Sequence, residues 1–331
     1  MVAAPLIPLA GMALIGALGR WPNLREAASL LTGGSLFAVV ASLFPVVLAG
    51  GRPEVVLWTV VEGIPLKLAV EPLGMVFAGV ASFLWIVTTV YSIGYMRGHH
   101  EEHQTRFYLF FALAIASCMG VAFAGNLFTL FVFYELLTFS TFPLVTHHQT
   151  EEARRAGRVY LGLLLTTSIL FQLLAIVWTW TLAGTLDFRP GGILRGVAGP
   201  GVVTLLLGLY VYGIGKAAVM PFHRWLPSAM VAPTPVSALL HAVAVVKAGV
   251  FTVLKVVLYV FGTGLLTETG ASVAFMWVAA ATILVASLVA FTKDNLKERL
   301  AYSTISQLSY IVLGAMLANA WGIIGGGMHI A

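Results

Sequence analysis

Charged residues are scarce in this chain of 331 residues, and hydrophobic residues are correspondingly abundant. Asp, Glu, Lys and Arg together supply 9% of the sequence, whereas they supply about a quarter of a typical soluble domain. Hydrophobic residues supply 60%, and the mean hydropathy is +0.96. A domain folded in water cannot bury so large an apolar fraction. The composition therefore excludes a soluble globular protein and predicts a polytopic membrane protein.

Cysteine is nearly absent as well. The single cysteine, Cys118, lies in an apolar run, which excludes a disulfide framework within the chain and a cysteine metal site. A short polar loop holds His99, His100 and His103 beside two glutamates, and we interpret it as solvated rather than as a metal site. The basic residues behind the net charge of +5 cluster in loops between apolar runs, unlike a nucleic-acid patch. We predict no catalytic constellation, no metal, no cofactor and no nucleic-acid partner.

Apolar runs long enough to cross about 30 Å of hydrocarbon recur along the chain. The first lacks the basic n-region and cleavage site of a signal peptide, so we interpret it as a span. The sequence ends inside an apolar run, and we expect the natural protein to continue beyond residue 331. We predict an all-α fold of about ten to eleven transmembrane helices, near residues 2–18, 28–50, 73–95, 107–124, 126–146, 158–183, 201–220, 236–261, 272–291 and 301–318, with an eleventh starting near Trp321.

Loop charges predict the orientation of these spans. The loops on one side, here called the charge-rich side, hold eleven of the eighteen basic residues, whereas the opposite loops hold Arg52, Lys67, Arg189 and Arg195. Because positive loops stay in the cytoplasm, the charge-rich side is predicted to be cytoplasmic and the N-terminus to lie outside. We expect a bacterial-type inner membrane. The eleven residues are Arg20, Arg25, Arg97, Arg106, Arg154, Arg155, Arg158, Arg224, Lys293, Lys297 and Arg299.

Four ionisable residues lie inside the predicted spans. Glu135 is near the middle of the fifth span, Lys216 is in the seventh, and His241 and Lys247 are in the eighth. Inserting one such charge costs a few kcal/mol, so these residues usually face protein or water and serve transport. Two structural alternatives stay open. Glu135 and Lys216 would form a static ion pair that holds helices together, and His241 would be a satisfied interior histidine.

Two further ionisable residues are predicted to lie at membrane interfaces. Lys255 is eight residues beyond Lys247, near the end of its span, where a lysine can extend its ammonium to the interface. Glu71, next to Pro72 at the mouth of the third span, is predicted to be interfacial for the same reason of position. We therefore assign neither residue to the candidate site.

The seventh span ends in "GIGKAAVMPFHRWLPSAM", in which Pro221 and Pro227 follow Lys216 closely. A helix interrupted at Pro221 leaves unpaired backbone groups, which a membrane tolerates only where they line protein or a wet cavity. Broken helices near the midplane recur in transporters. The pattern predicts a break that admits water beside Lys216, so that the lysine can exchange a proton.

Three segments resemble a known family: "YELLTFSTFPLV", "KAAVMPFHRWLPSAMVAPTPVSALLHAVAVVKAGVF" and "KDNLKERLAYSTISQLSYIVLGAML". Their combination resembles the antiporter-like subunits of respiratory complex I, of multisubunit Mrp-type cation/proton antiporters and of membrane-bound hydrogenases. The resemblance covers about residues 107–331. It implies proton handling by Glu135 and Lys216, and a continuation toward the centre of the subunit through Lys247 and His241.

The resemblance also implies the division of the chain. Residues 1–106 would be N-terminal transmembrane helices, residues 107–261 a first five-helix repeat, and residues 272–331 the start of a second, inverted repeat. The family's second broken helix, with its own lysine or glutamate, does not occur in this sequence. It is therefore open whether this polypeptide alone supplies a complete path by which protons leave the membrane.

We expect a proton-translocating subunit that works with other integral membrane subunits, in the first instance in a cation/proton antiporter. H⁺ is the expected ion, and the sequence leaves open whether Na⁺, K⁺ or only H⁺ is exchanged. One alternative is the proton-pumping membrane arm of an NADH:quinone or hydrogenase complex, whose redox chemistry lies on partner subunits. Another is a subunit that energises uptake of a different solute such as inorganic carbon. The residues alone do not separate these three.

Overall fold

The computed structural model describes all residues from 1 to 331 as a bundle of helices with one β-hairpin. Every predicted span corresponds to a helix, which confirms the all-α membrane fold. The helices are α1 (Ala3–Ala17), α2 (Pro22–Leu48), α3 (Pro72–Gly98), α4 (Gln104–Ala122), α5 (Leu127–Val145), α6 (Glu151–Ala183), α7 (Pro200–Gly213), α8 (Thr234–Phe261), α9 (Thr263–Thr269), α10 (Ser272–Phe291), α11 (Leu296–Met316) and α12 (Ala320–Ile330).

Seven of these helices, α2 to α6, α8 and α10, are long and apolar enough to cross a membrane. Helices α1 and α7 are apolar but shorter. Helix starts follow local chemistry, because proline occupies the first turn of α2, α3 and α7, where its missing N–H is not needed. The side chains of Asn126 and Thr150 accept hydrogen bonds from Thr129 N at 2.7 Å and Ala153 N at 3.2 Å, and so cap α5 and α6.

Helix α8 lies at the centre of the bundle. In its most apolar stretch of 18 residues, 83% is buried within the protein, whereas only 22% of the corresponding stretch of α2 is buried. Helix α2 therefore presents most of its apolar surface outward, as expected of a helix against lipid. A helix buried on all sides at the centre places its ionisable residues inside the protein.

An antiparallel hairpin that was not predicted from the sequence precedes α3. Strands β1 (Glu54–Val61) and β2 (Ile64–Ala69) are joined by a tight turn in which Gly63 has φ +81°, the left-handed region that suits glycine. Leu68 in β2 bridges to Ala124, between α4 and α5. The hairpin thus covers the end of the bundle opposite the charge-rich loops, and we call this end the hairpin side.

The seventh helix ends earlier than predicted. Helix α7 stops at Gly213, and residues 214–224 form an irregular segment with one 3₁₀ turn at Gly215–Ala217, here called the break segment. Lys216 therefore lies inside the break rather than in the helix before it. Pro221 lies in this segment after a cis peptide bond, and Pro227 lies in the short helix Trp225–Ser228 that follows.

Helix α8 is also irregular. A π-helical turn at Leu239–Val243 is followed by a bend at Ala244, where φ is −128° and ψ is −62°. A second π turn occupies Val257–Phe261. The bend separates His241 from Lys247, which were predicted to share one continuous helix. Such π turns are frequent at functional sites.

Candidate functional site

Glu135 on α5 carries a buried carboxylate that has no hydrogen-bond partner. Both carboxylate oxygens are shielded from solvent, and neither has a hydrogen-bond partner. A buried polar group without a partner is costly, and a native structure that keeps one needs a reason, such as a functional role or a bound water. Glu135 is therefore the strongest candidate for a functional side chain in the bundle.

Lys216 is fully buried in the break segment and points at α5. Its ammonium donates to the carbonyl oxygen of Tyr134 at 2.9 Å and to Oγ1 of Thr138 at 2.5 Å. It also lies 3.2 Å from the centroid of the Tyr134 ring, whose face attracts a cation. The backbone N–H of Lys216 donates to the hydroxyl of Tyr134 at 3.0 Å, so this tyrosine holds both ends of the residue.

The predicted alternative of a static ion pair between Glu135 and Lys216 is wrong. The ammonium of Lys216 binds a carbonyl oxygen, a hydroxyl group and a ring face, and the carboxylate of Glu135 has no partner. Both residues were identifiable in the sequence, but the partners of Lys216 were not. Those partners lie on the turn of α5 that also carries Glu135.

Close backbone contacts position the break segment against its neighbours. A Cβ atom added at Gly249 of α8 would lie 2.7 Å from the carbonyl oxygen of Lys216, so only glycine permits this approach. The indole N–H of Trp225 donates to the carbonyl oxygen of Gly215 at 2.9 Å. Trp225 packs edge-on against Tyr160 of α6, with centroids 5.5 Å apart. Lys216 is thus fixed between α5, α6 and α8.

His241 and Lys247 line a common cavity of about 430 Å³ between α8 and α11. His241 Nδ1 is 3.1 Å from Oγ1 of Thr304, and its Nε2 is 3.2 Å from the sulfur of Met230. Lys247 donates to the carbonyl oxygen of Ile330. The histidine and the lysine do not touch, and the cavity is large enough to hold waters that would connect them.

Lys255 and Glu71 are not interfacial, contrary to the prediction. The ammonium of Lys255 is 2.9 Å from Oε1 of Glu71, and the two side chains are only 1% and 11% exposed. Lys255 also donates to the carbonyl oxygen of Ala124 and lies over the ring of Phe188 at 4.6 Å. The hairpin and the loop after α6 cover this end of α8, so the lysine cannot reach the interface.

Gln172 is a buried polar residue that was not predicted as part of a site. It lies in a π-helical turn of α6 at Ser168–Leu173, and neither atom of its amide has a hydrogen-bond partner. Its backbone packs against Gly213, where α7 ends and the break segment begins. An isolated amide inside an apolar run was the available signal, as an isolated carboxylate was for Glu135.

A buried lysine in a discontinuous helix, bonded to the helix turn that carries an unpartnered buried carboxylate, is typical of the class of ion-transport subunits built on broken helices. The chain belongs to the family described as "NADH:quinone oxidoreductase/Mrp antiporter", whose transmembrane region matches residues 124–331. Residues 58–108 match the N-terminal region of chain 5 of NADH-ubiquinone oxidoreductase (complex I). The resemblance noted in the sequence is confirmed, and it extends further toward the N-terminus than predicted.

Curated relatives come from both branches of this family. A probable K⁺/H⁺ antiporter subunit of the A/B type from Rhizobium meliloti is 32% identical over 305 residues, which are 89% of this chain and 29% of that protein. The NADH-quinone oxidoreductase subunit N of Desulforudis audaxviator is 30% identical over 273 residues, which are 80% of this chain and 53% of that protein. The chain therefore spans about a third to a half of the length of these relatives.

Two solved complexes contain chains of the same fold. A chain of the Mrp complex from Dietzia sp. superposes with a TM-score of 0.81 and 26% identity, over 99% of this chain and 36% of that one. A chain of an archaeal membrane-bound sulfane sulfur reductase superposes with a TM-score of 0.84 at 23% identity, over 99% and 67%. The protein is thus an antiporter-like membrane subunit of the Mrp and complex I family.

Proposed function

We propose that this chain translocates protons within a multisubunit membrane complex that exchanges H⁺ for Na⁺ or K⁺. The observation that carries the proposal is the unpartnered carboxylate of Glu135 beside an ammonium held in a broken helix. A carboxylate that has no permanent partner can accept and release a proton without first breaking an ion pair.

The partners of Lys216 suit a residue that changes its protonation state. A carbonyl oxygen and a ring face stabilise the ammonium without committing it to a carboxylate. The hydroxyl group of Thr138 accepts a hydrogen bond from the ammonium and can rotate to donate one to the neutral amine. Lys216 therefore has a hydrogen-bond partner in both protonation states.

Beyond Lys216, the proton would pass to Lys247 with the help of His241. The turn that carries Lys216 touches α8 at Gly249, two residues after Lys247. His241 and Lys247 share a cavity whose volume allows several waters. In this sequence of steps Glu135 supplies the proton, Lys216 transfers it through the break, and Lys247 receives it.

The same family assignment supports proposals about assembly and orientation. The chain would work with other integral membrane subunits, with its charge-rich loops in the cytoplasm and its N-terminus outside a bacterial-type inner membrane. Residues 107–261 would form the first of two inverted five-helix repeats, and residues 272–331 the beginning of the second. The transmembrane helices of residues 1–106 would precede both repeats.

The membrane arm of a redox-driven complex is the second candidate. One curated relative is named as an NADH-quinone oxidoreductase subunit, and another, from the chloroplast of Zygnema circumcarinatum, as NAD(P)H-quinone oxidoreductase subunit 5 with 29% identity over 93% of this chain. In that setting Glu135 and Lys216 would have the same roles, and a partner subunit would supply the driving reaction.

Purification in mild detergent, followed by identification of the copurifying subunits, separates the two candidates. Antiporter subunits support cation exchange, and redox subunits support the second candidate. The proton role is tested by Glu135→Gln in the purified complex, reconstituted into vesicles that contain a pH-sensitive dye. We expect an assembled complex without proton flux, because the amide keeps the shape of the side chain but carries no proton. An assembled variant with wild-type flux would exclude Glu135 as a proton carrier.

A further inference from the structure

The ion pair between Lys255 and Glu71 has no role in the steps described above. It joins α8 to the start of α3 and is buried beneath the hairpin side of the bundle. No other fully buried lysine of the chain is in an ion pair, because Lys216, the second fully buried lysine, binds only neutral groups. A pair formed inside the protein needs either a structural or a functional reason.

The geometry of Glu71 differs from that of a helix-capping residue. It occupies the N-cap position of α3, where a carboxylate normally accepts hydrogen bonds from the first backbone amides. Its side chain makes no such bond and is directed toward Lys255. Moreover, Oε1 lies 2.9 Å from the ammonium but has no oriented hydrogen bond, since Lys255 donates to the carbonyl oxygen of Ala124. The carboxylate is therefore only partly satisfied.

The pair is placed between the lysines of the candidate site and the hairpin-side solvent. Lys255 is six residues beyond Gly249, where the Lys216 turn touches α8, and the rise of an α-helix makes this about 9 Å along the axis. Glu71 is the more exposed member of the pair, at 11% against 1% for Lys255.

We propose that Lys255 and Glu71 form the proton-release site on the hairpin side of this subunit. The ammonium of Lys255 gives a proton to the carboxylate of Glu71, which leaves a neutral amine and a neutral carboxyl group. Glu71 then releases the proton to water at the hairpin side. Lys255 is protonated again from the lysines deeper in the protein, and the ion pair re-forms. This inference rests on the proposed function, because it concerns the exit of the same proton.

The test compares proton flux in reconstituted vesicles for the copurified complex carrying Lys255→Arg, Glu71→Gln or the double change Glu71→Gln with Lys255→Met. Arginine keeps the charge and the pair but does not release a proton at physiological pH. The double change removes both charges together and leaves no buried charge unpaired. For each assembled variant we expect flux to fall at least tenfold. Lys67→Arg is the control, since Lys67 lies in β2 of the hairpin and pairs with Glu54 at 2.9 Å and with Asp187 at 3.4 Å, and it should keep wild-type flux.

A purely structural ion pair predicts different results. Lys255→Arg would then transport normally, and so would the double variant once assembled, and either result would overturn the proposal. Failure of the double variant to assemble would also count against it, because only a structural pair would be needed for folding. Other results would exclude the proposed function itself. These are the absence of proton flux through the wild-type complex and wild-type flux through the Glu135→Gln variant.

Discussion

Gly249→Ala tests whether the close approach of the break segment to α8 positions Lys216. The added Cβ would lie 2.7 Å from the carbonyl oxygen of Lys216 and nearer still to its carbonyl carbon. Ordinary contact distances are longer than 3.4 Å, so the turn that carries Lys216 must move by about 1 Å. Such overpacking costs about 1–3 kcal/mol, which a large bundle tolerates. We therefore expect the variant to fold and assemble.

Transport should suffer far more than stability in this variant. A displacement of about 1 Å at a reacting group can reduce a rate about 100-fold, because proton transfer requires aligned donors and acceptors. Lys216 would move relative to Tyr134 and Thr138 on α5, which bind its ammonium. We expect proton flux in reconstituted vesicles to fall at least tenfold.

The matched control for this substitution is Gly94→Ala in α3. A Cβ at Gly94 meets no atom within 4 Å, and alanine favours a helix interior by about 1 kcal/mol. This variant should keep wild-type flux and stability. If Gly249→Ala assembles and transports as well as Gly94→Ala does, the close placement of Lys216 against α8 is irrelevant to transport, and the reasoning from geometry is refuted.

Two further predictions concern the charge-rich side and the orientation. Burial and the neighbouring Arg106 lower the pKa of His147 to about 4, so the contribution of the neutral His147 to stability is complete above the unfolded pKa near 6.5 and is lost as the pH falls toward 4. His147→Gln should therefore lose less thermal stability than wild type between pH 7.5 and pH 5. An equal loss in the two proteins would contradict this. In intact cells an impermeant thiol reagent should label Val197→Cys on the hairpin side but not Glu152→Cys on the charge-rich side. The native Cys118 is buried and does not interfere with the labelling. The reverse pattern would contradict the orientation.

The positions of the helices could be predicted because apolar runs of sufficient length have few alternatives in a membrane. Glu135 and Lys216 were identifiable for the same reason, since an ionisable residue stands out in such a run. The end of α7 was not predictable, because the helix stops at Gly213 where its backbone packs against Gln172 of α6. That contact depends on tertiary packing. A hydropathy pattern extends the helix to the next proline.

The hairpin and the Lys255–Glu71 pair were missed for different reasons. Strand β1 is rich in valine, and Gly63 in a tight turn is a usable hairpin signal. Both features lie between long apolar spans, so hydropathy alone does not distinguish the hairpin from a loop. The ion pair joins residues 184 positions apart, and no local pattern relates them. Position near the end of a span predicted an interfacial lysine, whereas the hairpin and the loop after α6 cover that end of the helix.

Proton transfer through this subunit requires that Lys216 take up and release a proton, and substitution of this residue is the decisive experiment. The measurement is proton flux through the purified complex in vesicles for Lys216→Arg, with Lys216→Ala and wild type alongside. Arginine preserves the positive charge but releases its proton too reluctantly to complete a cycle. We predict assembled complexes with little or no flux for both variants. Full flux with arginine at position 216 would show that a fixed positive charge suffices, and would contradict proton transfer through this residue.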